Sequence, residues 1–584
     1  MTSVAPAPAE APEADHYQAA NRRFLAALGV ATHGMSPISL YEAWLDWWLH
    51  LAVAPGKQAQ IGVKAIEKWV RLRRYLGECA LKGECAERCI VPLAQDRRFD
   101  DPAWCRFPFN LMSQSFLLSQ QWWHNTTTHV PGVTARHARL VDFYSRQFLD
   151  MLSPSNFPFT NPVVIERTAE AGGTNLVRGF GRFVADAAKA LAGTNGAADS
   201  DFKVGANLAV TPGAVIFRNE LIELIQYRPT TGKVRPEPVL IVPAWIMKYY
   251  ILDLQQHNSM IRYLVDQGFT VFCISWRNPG PEMRETSLDD YRRLGVMAAL
   301  EAVQSVTASP KVHAVGYCLG GTLLTIAAAA MARDGDKRLA TVSLFAAQVD
   351  FEEPGEIGLF IDESQVTFLE GVMSASGYLD QRQMAGTFRM LRSQDLVWSR
   401  LVSEYLMGDS QPMTDLMTWN ADATRMPYRM HSQYLRQLFL NNDLAQARYM
   451  VDGRRIHVED IDVPVFAVGT VTDHVAPWRS VFKLTHLLDT DVDFVLTSGG
   501  HNAGIVSEPG HPNRSFRRLE YRHGEPHADP DTWLHGARQE EGSWWPAWAE
   551  WLAARSEEPM ELPTMGSRAC PPLCEAPGTY VLQP

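Results

Sequence analysis

A cysteine flanked by glycines at residues 316–320 has the spacing of a catalytic nucleophile. The stretch Gly-Tyr-Cys-Leu-Gly follows the apolar run 312–315 and precedes an alanine-rich segment. A strand that turns directly into a helix through G-x-Ser-x-G presents its central side chain to a substrate, and Cys318 occupies that central position here. The helix that follows would direct its N-terminal amides and its dipole at the sulfur, stabilising a thiolate and an oxyanion. The motif therefore predicts that Cys318 is a nucleophile rather than an inert buried cysteine.

A nucleophilic thiol needs a base, and the base needs an acid that orients it. Asp473 lies a few residues beyond the apolar run 463–469, and His501 lies in a glycine-rich stretch just beyond the next run, 491–498. In folds with this kind of turn, the nucleophile, the acid and the histidine follow one another in this chain order. We therefore predict a triad of Cys318, Asp473 and His501.

Other residues compete for the roles of base and acid. His474 is adjacent to Asp473, but neighbours on an extended chain point in opposite directions, so we favour His501 as the base. A structural or pocket-lining role is left for His474. Asp350 follows an earlier predicted strand and is the alternative acid, although we favour it as an anchor for the segment that follows. Asp253 fits the start of a helix better than a catalytic role.

Backbone amides are the expected donors to the oxyanion of such a reaction. In this kind of fold the residue after the nucleophile supplies one amide, and that residue is Leu319 here. The second amide comes from the loop that follows an earlier strand. The run 238–245, with the sequence PVLIVPAW, ends in that loop, so Ala244 and Trp245 are the predicted source of the second donor.

Strands and helices alternate from about residue 206 onwards. The runs with the character of buried strands are 238–245, 270–276, 312–318, 340–350, 463–469 and 491–498, and the helical segments between them include 254–267, 287–307 and 320–333. This alternation predicts βαβ units on a mostly parallel sheet. Together with the cysteine turn it predicts an α/β fold, with an α/β-hydrolase catalytic domain over 206–584. A polar, aromatic and mostly helical stretch at about 351–458 interrupts the alternation, and we predict that it forms a cap or lid over the carboxyl ends of the strands.

The chain before this domain has a different pattern. Residues 17–205 are mostly helical and rich in tryptophan, and we predict a helical N-terminal domain there. Trp44, Trp47 and Trp48 recur at helical spacing, which favours a core position over the alternative of a docking face. The Gly-, Ala-, Ser- and Asn-rich stretch 190–208 is the predicted linker. Residues 1–16 are rich in Ala, Pro and Glu and are predicted to be a disordered tail. They also lack the basic start and the apolar region of a signal peptide.

Composition excludes several classes of function. The 584 residues carry a net charge of −11 without a long basic cluster, so we expect no nucleic-acid partner. The longest apolar stretches, such as 323–332, reach about half of the length that spans a bilayer. We therefore expect a cytoplasmic protein without a transmembrane segment. Eight cysteines without a CxxC pair predict neither a disulfide scaffold nor a metal site.

Several stretches together resemble one family, the class I polyhydroxyalkanoate synthases. They are spread over nearly the whole chain and are VPAWIMKYYILDL, GFTVFCISWRNP, GYCLGGT, DLVW, WNADATRMP, TDHVAPW, GGHNAG and GSWWPAWAEWL. The resemblance implies a Cys-Asp-His triad carried by Cys318, Asp473 and His501. It also implies that (R)-3-hydroxyacyl-CoA thioesters, most simply 3-hydroxybutyryl-CoA, are polymerised into a polyester stored in cytoplasmic granules. Homodimers and a mobile cap are further properties that the resemblance implies.

The same resemblance gives CoA the role of a leaving group. CoA enters as part of the substrate and leaves as a product, so no separate cofactor is expected. Arg392, just before DLVW, is a candidate for binding the CoA phosphates, with a surface ion pair as the alternative. Asn502 follows the histidine where well-known members of the family often carry Ile, and Ala244 and Trp245 also depart from the common pattern. We expect these departures to affect pocket polarity or monomer choice rather than the chemistry.

Two other functions stay open on the sequence alone. A thioesterase or polyester depolymerase would use the same residues and admit water to the acyl-enzyme. A granule-associated protein with a vestigial triad is the second alternative, which only the tryptophan-rich N-terminal region favours.

Overall fold

The structure, a computed structural model, divides into two compact units that are described separately. The described residues are 13–32, 34–82, 87–93, 96–192, 200–307, 309–381, 383, 384, 386, 390, 397–410 and 412–584. The unit that contains the sheet, called the catalytic unit here, comprises Met1–Met35, Asp199–Met384 and Met413–Pro584. The other, called the helical unit, comprises Ser36–Ala198 and Ala385–Pro412.

Helices account for most of the first 200 residues and for the layers around the sheet. In chain order they are α1 Glu13–Ala31, α2 Pro37–Ala52, α3 Pro55–Lys82, α4 Phe109–Thr127, α5 Ala135–Met151, α6 Pro162–Glu170, α7 Thr174–Ala192, α8 Met260–Asp266, α9 Leu288–Asp290, α10 Ala298–Thr307, α11 Leu319–Arg333, α12 Glu363–Ser376, α13 Asp415–Ala421, α14 Tyr428–Gln433, α15 Trp478–Phe482, α16 Leu484–Leu487, α17 Pro530–Gly536 and α18 Trp545–Ala553. Short 3₁₀ segments lie at Pro102–Cys105, Pro154–Asn156, Tyr249–Asp253, Pro281–Met283, Glu356–Phe360, Val458–Asp460 and Tyr580–Leu582, and π-helical turns lie at Tyr291–Met297, Leu401–Leu406 and Tyr434–Leu440.

The described residues form fifteen strands, and eleven of these make up one mixed sheet in the catalytic unit. The strands in chain order are β1 Gly213–Arg218, β2 Ile222–Tyr227, β3 Val239–Val242, β4 Val271–Trp276, β5 Val312–Tyr317, β6 Leu339–Phe345, β7 Tyr378–Leu379, β8 Met426–Pro427, β9 Met450–Val451, β10 Arg454–Arg455, β11 Val465–Thr470, β12 Val492–Thr497, β13 Ser515–Tyr521, β14 Arg538–Glu541 and β15 Cys574–Glu575. The order across the main sheet is β14-β13-β12-β11-β6-β5-β3-β4-β2-β1-β15. The short pairs β7–β8 and β9–β10 form two separate small sheets.

The centre of the main sheet is parallel and its two margins are antiparallel. Strands β4, β3, β5, β6, β11 and β12 pair in parallel, whereas β2, β1 and β15 on one side and β13 and β14 on the other pair antiparallel. Every residue of β3, β5 and β11 is buried, as expected for strands covered on both faces. Because parallel strands share one carboxyl edge, the loops after β3, β5, β11 and β12 all begin at the same edge of the sheet.

A tryptophan-rich helix near the end of the chain supports this sheet. Trp544 and Trp548 are fully buried. The Trp548 ring lies 4.9 Å from the ring of Phe345 at the end of β6, and its indole Nε1 donates to Ser343 Oγ at 3.0 Å. The rigid packing of these large rings fixes the strand next to the cysteine turn.

The stretch between β6 and β11, the predicted cap, contains α12, α13 and α14. In the catalytic unit, α1 packs against α12. The two helices approach closely at a glycine, since a Cβ atom on Gly29 would lie 2.3 Å from Val372 Cγ2. The sequence predicted residues 13–16 of α1 as part of a disordered tail, residues 17–31 as part of the N-terminal domain and 385–412 as part of the cap. The structure instead has a helix from Glu13, and the division into units places α1 with the sheet and 385–412 with the helical unit.

The helical unit has its own small core. Trp47 is buried and its indole Nε1 donates to the carbonyl of Thr126 at 3.1 Å, which joins α2 to α4. Trp48, one residue later, is 58% exposed. The tryptophan pattern in α2 therefore contributes to both the core and the surface of this unit. In the described part of the chain, no helix has the length and apolar character needed to cross a membrane.

Candidate active site

Cys318 lies at the turn between β5 and α11. Its backbone has φ 53° and ψ −123°, a conformation that is strained for a residue with a side chain. The amide of Cys318 donates to the carbonyl of Phe345 at 2.8 Å, which ties the turn to β6. The turn closes only because residues 316 and 321, which approach each other across it, are both glycine. A Cβ atom on Gly316 would lie 2.3 Å from the Cα atom of Gly321. The strain is typical of a turn that presents a nucleophile.

The loop after β3 lies directly beside this turn. A Cβ atom on Gly320 would lie 2.1 Å from the carbonyl oxygen of Val242 and 2.6 Å from that of Pro243. Leu319 is the first residue of α11, so its amide has no acceptor within the helix. Trp245 is buried, and its ring contacts the rings of Trp276 and Tyr291 rather than facing solvent. The loop and the helix start are therefore adjacent, as an oxyanion site would require.

Asp473 and His501 meet at the carboxyl ends of β11 and β12. His501 Nδ1 and Asp473 Oδ2 are 2.7 Å apart, and both side chains are nearly inaccessible to solvent. The Asp473 carboxylate also accepts the amides of Val475 and Ala476 and the hydroxyl of Thr470. Four donors therefore hold the carboxylate in one orientation, and that orientation fixes the His501 ring.

Cys318 is close enough to the His501 ring for the two side chains to interact electrostatically. Because Nδ1 is engaged by Asp473, Nε2 is the ring nitrogen left for the thiol. Burial lowers the pKa of His501, but Asp473 and Cys318 outweigh burial, so this pKa is raised well above its usual value. Burial raises the pKa of Asp473, yet His501 and the amides of Ala476 and Val475 bring it below its usual value. An acid that stays ionised beside a basic imidazole suits proton transfer from a thiol.

Hydrogen bonds between backbones join the two loops that carry Asp473 and His501. The amide of Thr472 donates to the carbonyl of Gly499 at 3.0 Å. Gly499 has φ 104°, a value that favours glycine, and the amide of Gly504 donates to Gly500 across the His501 turn. The glycine-rich sequence around His501 therefore forms a tight turn against the Asp473 loop.

Two tyrosines lie near the candidate triad although the sequence did not predict them there. The ring of Tyr317 lies 5.8 Å from that of His501, and its hydroxyl donates to Asn502 Oδ1 at 2.7 Å. Tyr434, in a π-helical turn of the cap, is close enough to Cys318 for the two to interact electrostatically. Burial and the nearby Cys318 raise the pKa of Tyr434 well above its usual value. No motif in the sequence distinguishes Tyr434, whereas the position of Tyr317 next to Cys318 was a usable signal.

The competing residues lie in other surroundings. Asp350 Oδ1 accepts hydrogen bonds from the amide of Glu352 and from Asn442 in the cap. Asp253 is buried and accepts the hydroxyls of Thr211 and Ser259, so it belongs to a separate polar cluster.

Two residues were considered for substrate binding. The carbonyl of His474 accepts the amide of Glu356 at the start of the cap. Arg392, the candidate for CoA phosphates, lies outside the described residues. Among the residues that the structure does describe, no three His, Cys, Asp or Glu side chains cluster as metal ligands would.

The fold and the site together define the class of protein. A mostly parallel sheet, a strained turn between β5 and α11, and an acid and a histidine after later strands are the features of the α/β-hydrolase fold. Residues 237–508 match the family model described as alpha/beta hydrolase fold. The chain is therefore an α/β-hydrolase-fold protein with cysteine at the nucleophile position.

Two more family models and several relatives narrow this class. Residues 95–264 match the poly-beta-hydroxybutyrate polymerase (PhaC) N-terminus, and residues 16–57 match the poly-beta-hydroxybutyrate polymerase N terminal. The poly(3-hydroxyalkanoate) polymerase of Methylorubrum extorquens is 40% identical over 86% of this chain and 83% of its own. The poly(3-hydroxyalkanoate) polymerase subunit PhaC of Cupriavidus necator is 35% identical over 92% of this chain and 94% of its own. The chain belongs to the poly(3-hydroxyalkanoate) polymerase family.

Proposed function

We propose that the protein polymerises (R)-3-hydroxyacyl-CoA, with 3-hydroxybutyryl-CoA as the first candidate, into a polyester and releases CoA. The observation that carries this proposal is the hydrogen bond between Asp473 and His501, with Cys318 close to the same imidazole, in a chain of the polymerase family. An acyltransferase of this kind needs a nucleophile that accepts an acyl group and then passes it to a hydroxyl.

In the first half of the proposed cycle, His501 accepts the thiol proton and the thiolate of Cys318 attacks the thioester carbonyl. The amides of Leu319 and of the Trp245 region hold the oxyanion. The bond between the carbonyl carbon and the sulfur of CoA then breaks, and His501 returns its proton to the leaving CoA. The acyl group is left as a thioester on Cys318.

In the second half, the 3-hydroxyl of another monomer attacks this acyl group. His501 takes the hydroxyl proton, an ester bond forms, and the bond from the acyl carbon to Cys318 breaks. The proton then returns to the cysteine. Each cycle needs no group beyond the substrate's own CoA, so we propose that no separate cofactor takes part.

The choice of a thiol follows from the energies of these two steps. Exchanging one thioester for another leaves the free energy nearly unchanged, so the acyl group on Cys318 stays activated for ester formation. A serine in its place would hold the acyl group as a more stable oxygen ester. The thiolate is also the stronger nucleophile at neutral pH.

Polymerisation requires that water be kept from the acyl-enzyme. Tyr434, the cap residue beside Cys318, contacts Phe439 at 5.2 Å, and Phe439 contacts Phe351 at 4.8 Å. This aromatic cluster supports an apolar covering over the thioester. We assign His474 to the wall of the site and Arg392 to the CoA phosphates, as parts of the same proposal.

The first experiment incubates the purified protein with (R)-3-hydroxybutyryl-CoA. Free CoA is followed with a thiol reagent, and the product by turbidity and chromatography. Cys318→Ala is the test variant, and Cys574→Ala, at the margin of the sheet, is the matched control. We expect CoA release with insoluble polyester, lost only in Cys318→Ala. Release of CoA with free 3-hydroxybutyrate alone would identify a thioesterase, and polymer binding without CoA release would identify a granule-associated protein.

Oligomeric state and location are parts of the proposal with their own tests. We propose a homodimer that works at the surface of a cytoplasmic polyester granule, because the growing product is insoluble and stays attached where it forms. Sedimentation with and without substrate tests the dimer. A fluorescent fusion, examined in cells with and without polyester, tests the location.

A further inference from the structure

A segment within the cap, called the return segment here, contacts the loop after β3. This return segment comprises residues 419–427, WNADATRMP, and the loop comprises 243–248, called the oxyanion loop here. Thr424 Oγ1 donates to the carbonyl of Trp245 at 2.5 Å, and the amide of Thr424 donates to Ile246 at 3.2 Å. The proposed catalytic cycle gives the return segment no role.

Further contacts extend this attachment along the loop. The indole Nε1 of Trp419 donates to the carbonyl of Lys248 at 2.7 Å, and Ala423 forms an isolated bridge with Met247. Trp419 and Thr424 are both buried, at 3% exposure. Hydrogen bonds that are shielded from water in this way hold their geometry more firmly than exposed ones.

The opposite end of the loop is fixed from the sheet. The indole Nε1 of Trp276 on β4 donates to the carbonyl of Pro243 at 2.8 Å. A trans peptide is planar, so a fixed carbonyl also fixes the direction of the amide that shares its plane. The bonds to Pro243 and Trp245 hold the peptide planes on either side of the one between Ala244 and Trp245. The amides proposed to bind the oxyanion are therefore held from the sheet on one side and from the cap on the other.

We propose that Thr424 is a positioning residue for the oxyanion loop, and that through it the position of the cap determines whether the loop can stabilise the oxyanion. This inference rests on the proposed function, because it takes the loop to be the second oxyanion donor. Thr424 acts through the Trp245 carbonyl and touches no reacting atom. A displacement of the return segment moves that carbonyl and with it the neighbouring amides. Misplaced amide donors in an oxyanion site lower the rate by a large factor.

The test separates the loop from the thiol. Thr424→Val keeps the shape and removes the donor, and Thr424→Ser keeps the donor. Thr418→Val is the matched control, because Thr418 is equally buried nearby but its hydroxyl bonds with Ser200 and Thr414 instead. For each protein we measure kcat and KM for CoA release, acylation by p-nitrophenyl acetate, and alkylation of Cys318 by iodoacetamide. Acylation passes through an oxyanion, whereas alkylation does not.

We expect Thr424→Val to lower kcat and the acylation rate by between about 10-fold and 100-fold. KM and the alkylation rate should stay within about threefold of the wild type. Thr424→Ser should restore most of the rate, and Thr418→Val should behave as the wild type.

Several results would overturn the inference. They are an unchanged kcat in Thr424→Val, an equal loss of acylation and alkylation, and a similar loss in Thr418→Val. If Thr424→Val does not fold, Trp419→Phe removes the bond to Lys248 and must show the same separation of the two rates. Failure of the proposed function looks different, since the wild type would then form no polyester from the acyl-CoA, while p-nitrophenyl acetate would still report the loop.

Discussion

The hydroxyl of Tyr317 donates to Asn502 Oδ1 at 2.7 Å, so the residue before Cys318 is bonded to the residue after His501. The two loops that bring the thiol and the imidazole together are thereby joined by side chains as well as by the sheet. Asn502 was noted in the sequence as a departure from the usual family pattern, and its contact with Tyr317 gives it a structural partner.

Tyr317→Phe should lower the free energy of unfolding by about 1 kcal/mol, because it leaves the Asn502 carbonyl without its donor. The double variant Tyr317→Phe with Asn502→Leu should be destabilised by less than the sum of the two single variants. Urea unfolding of the four proteins measures this coupling. Additive effects would mean that the bond contributes nothing in solution.

Asp473→Asn should lower kcat by about 10³- to 10⁴-fold while the fold is kept. The asparagine amide nitrogen would face His501 Nδ1, which favours the tautomer with its proton on Nε2, and that tautomer cannot accept the thiol proton. Loss of the carboxylate also lowers the raised pKa of His501. The imidazolium that pairs with the thiolate would then be lost at a lower pH than in the wild type.

The pH profile of iodoacetamide alkylation checks this second effect. The limb assigned to His501 should move to lower pH in Asp473→Asn. Asp350→Asn is the matched control, because Asp350 bonds with Asn442 and Glu352 and not with His501. An equal loss of activity in Asp350→Asn would mean that the acid was misassigned.

Gly320→Ala should abolish CoA release and lower the free energy of unfolding by about 1–3 kcal/mol or more. The added methyl would lie 2.1 Å from the Val242 carbonyl, so the turn and the oxyanion loop must separate. Gly232→Ala is the control, since nothing lies within 4 Å of a Cβ atom there. Activity and urea unfolding of both variants test the close approach, and a fully active Gly320→Ala would contradict it.

His313 predicts an acid-dependent loss of stability. Burial and, to a lesser extent, Arg555 lower the pKa of His313 to about 4, from 6.5 in an ordinary environment. The unfolded chain therefore binds a proton at higher pH than the folded one. The stability due to a neutral His313 is fully present above about pH 6.5 and is lost as the pH falls towards 4.

The loss amounts to about 2–3 kcal/mol for such a shift. His313→Gln removes this titration, although the packing beside Thr341 and Ser556 also changes. Urea unfolding at a series of pH values should show a shallower decline for the variant than for the wild type between pH 7 and pH 4. Parallel declines would mean that the pKa of His313 is the same in the folded and the unfolded protein.

The sequence predicted those parts of the site that depend on local pattern. The Cys318 turn needs glycines at fixed offsets, and Asp473 and His501 directly follow strands, so their common edge follows from parallel pairing. The α/β-hydrolase fold is confirmed by the family model over residues 237–508. The triad as a catalytic unit stays a prediction, as do Leu319 and Trp245 as oxyanion donors.

Contacts between distant segments could not be predicted in this way. Thr424 meets Trp245 across 179 residues, and neither residue carries a pattern that names the other. The grouping of α1 with the sheet was missed for a similar reason, because an amphipathic helix shows which face is buried and not which partner buries it. Tyr434 reaches Cys318 only through the folding of the cap.

The division of the chain into two units has a consequence for protein engineering. The chain passes between the units four times, at residues 35, 198, 384 and 412, so neither unit is one continuous stretch. A fragment that starts near residue 206 would lack the helix that packs on α12 and would carry 385–412 without the rest of its unit. Chimeras that exchange the N-terminal part between relatives therefore need four junctions, not one, to keep each core intact.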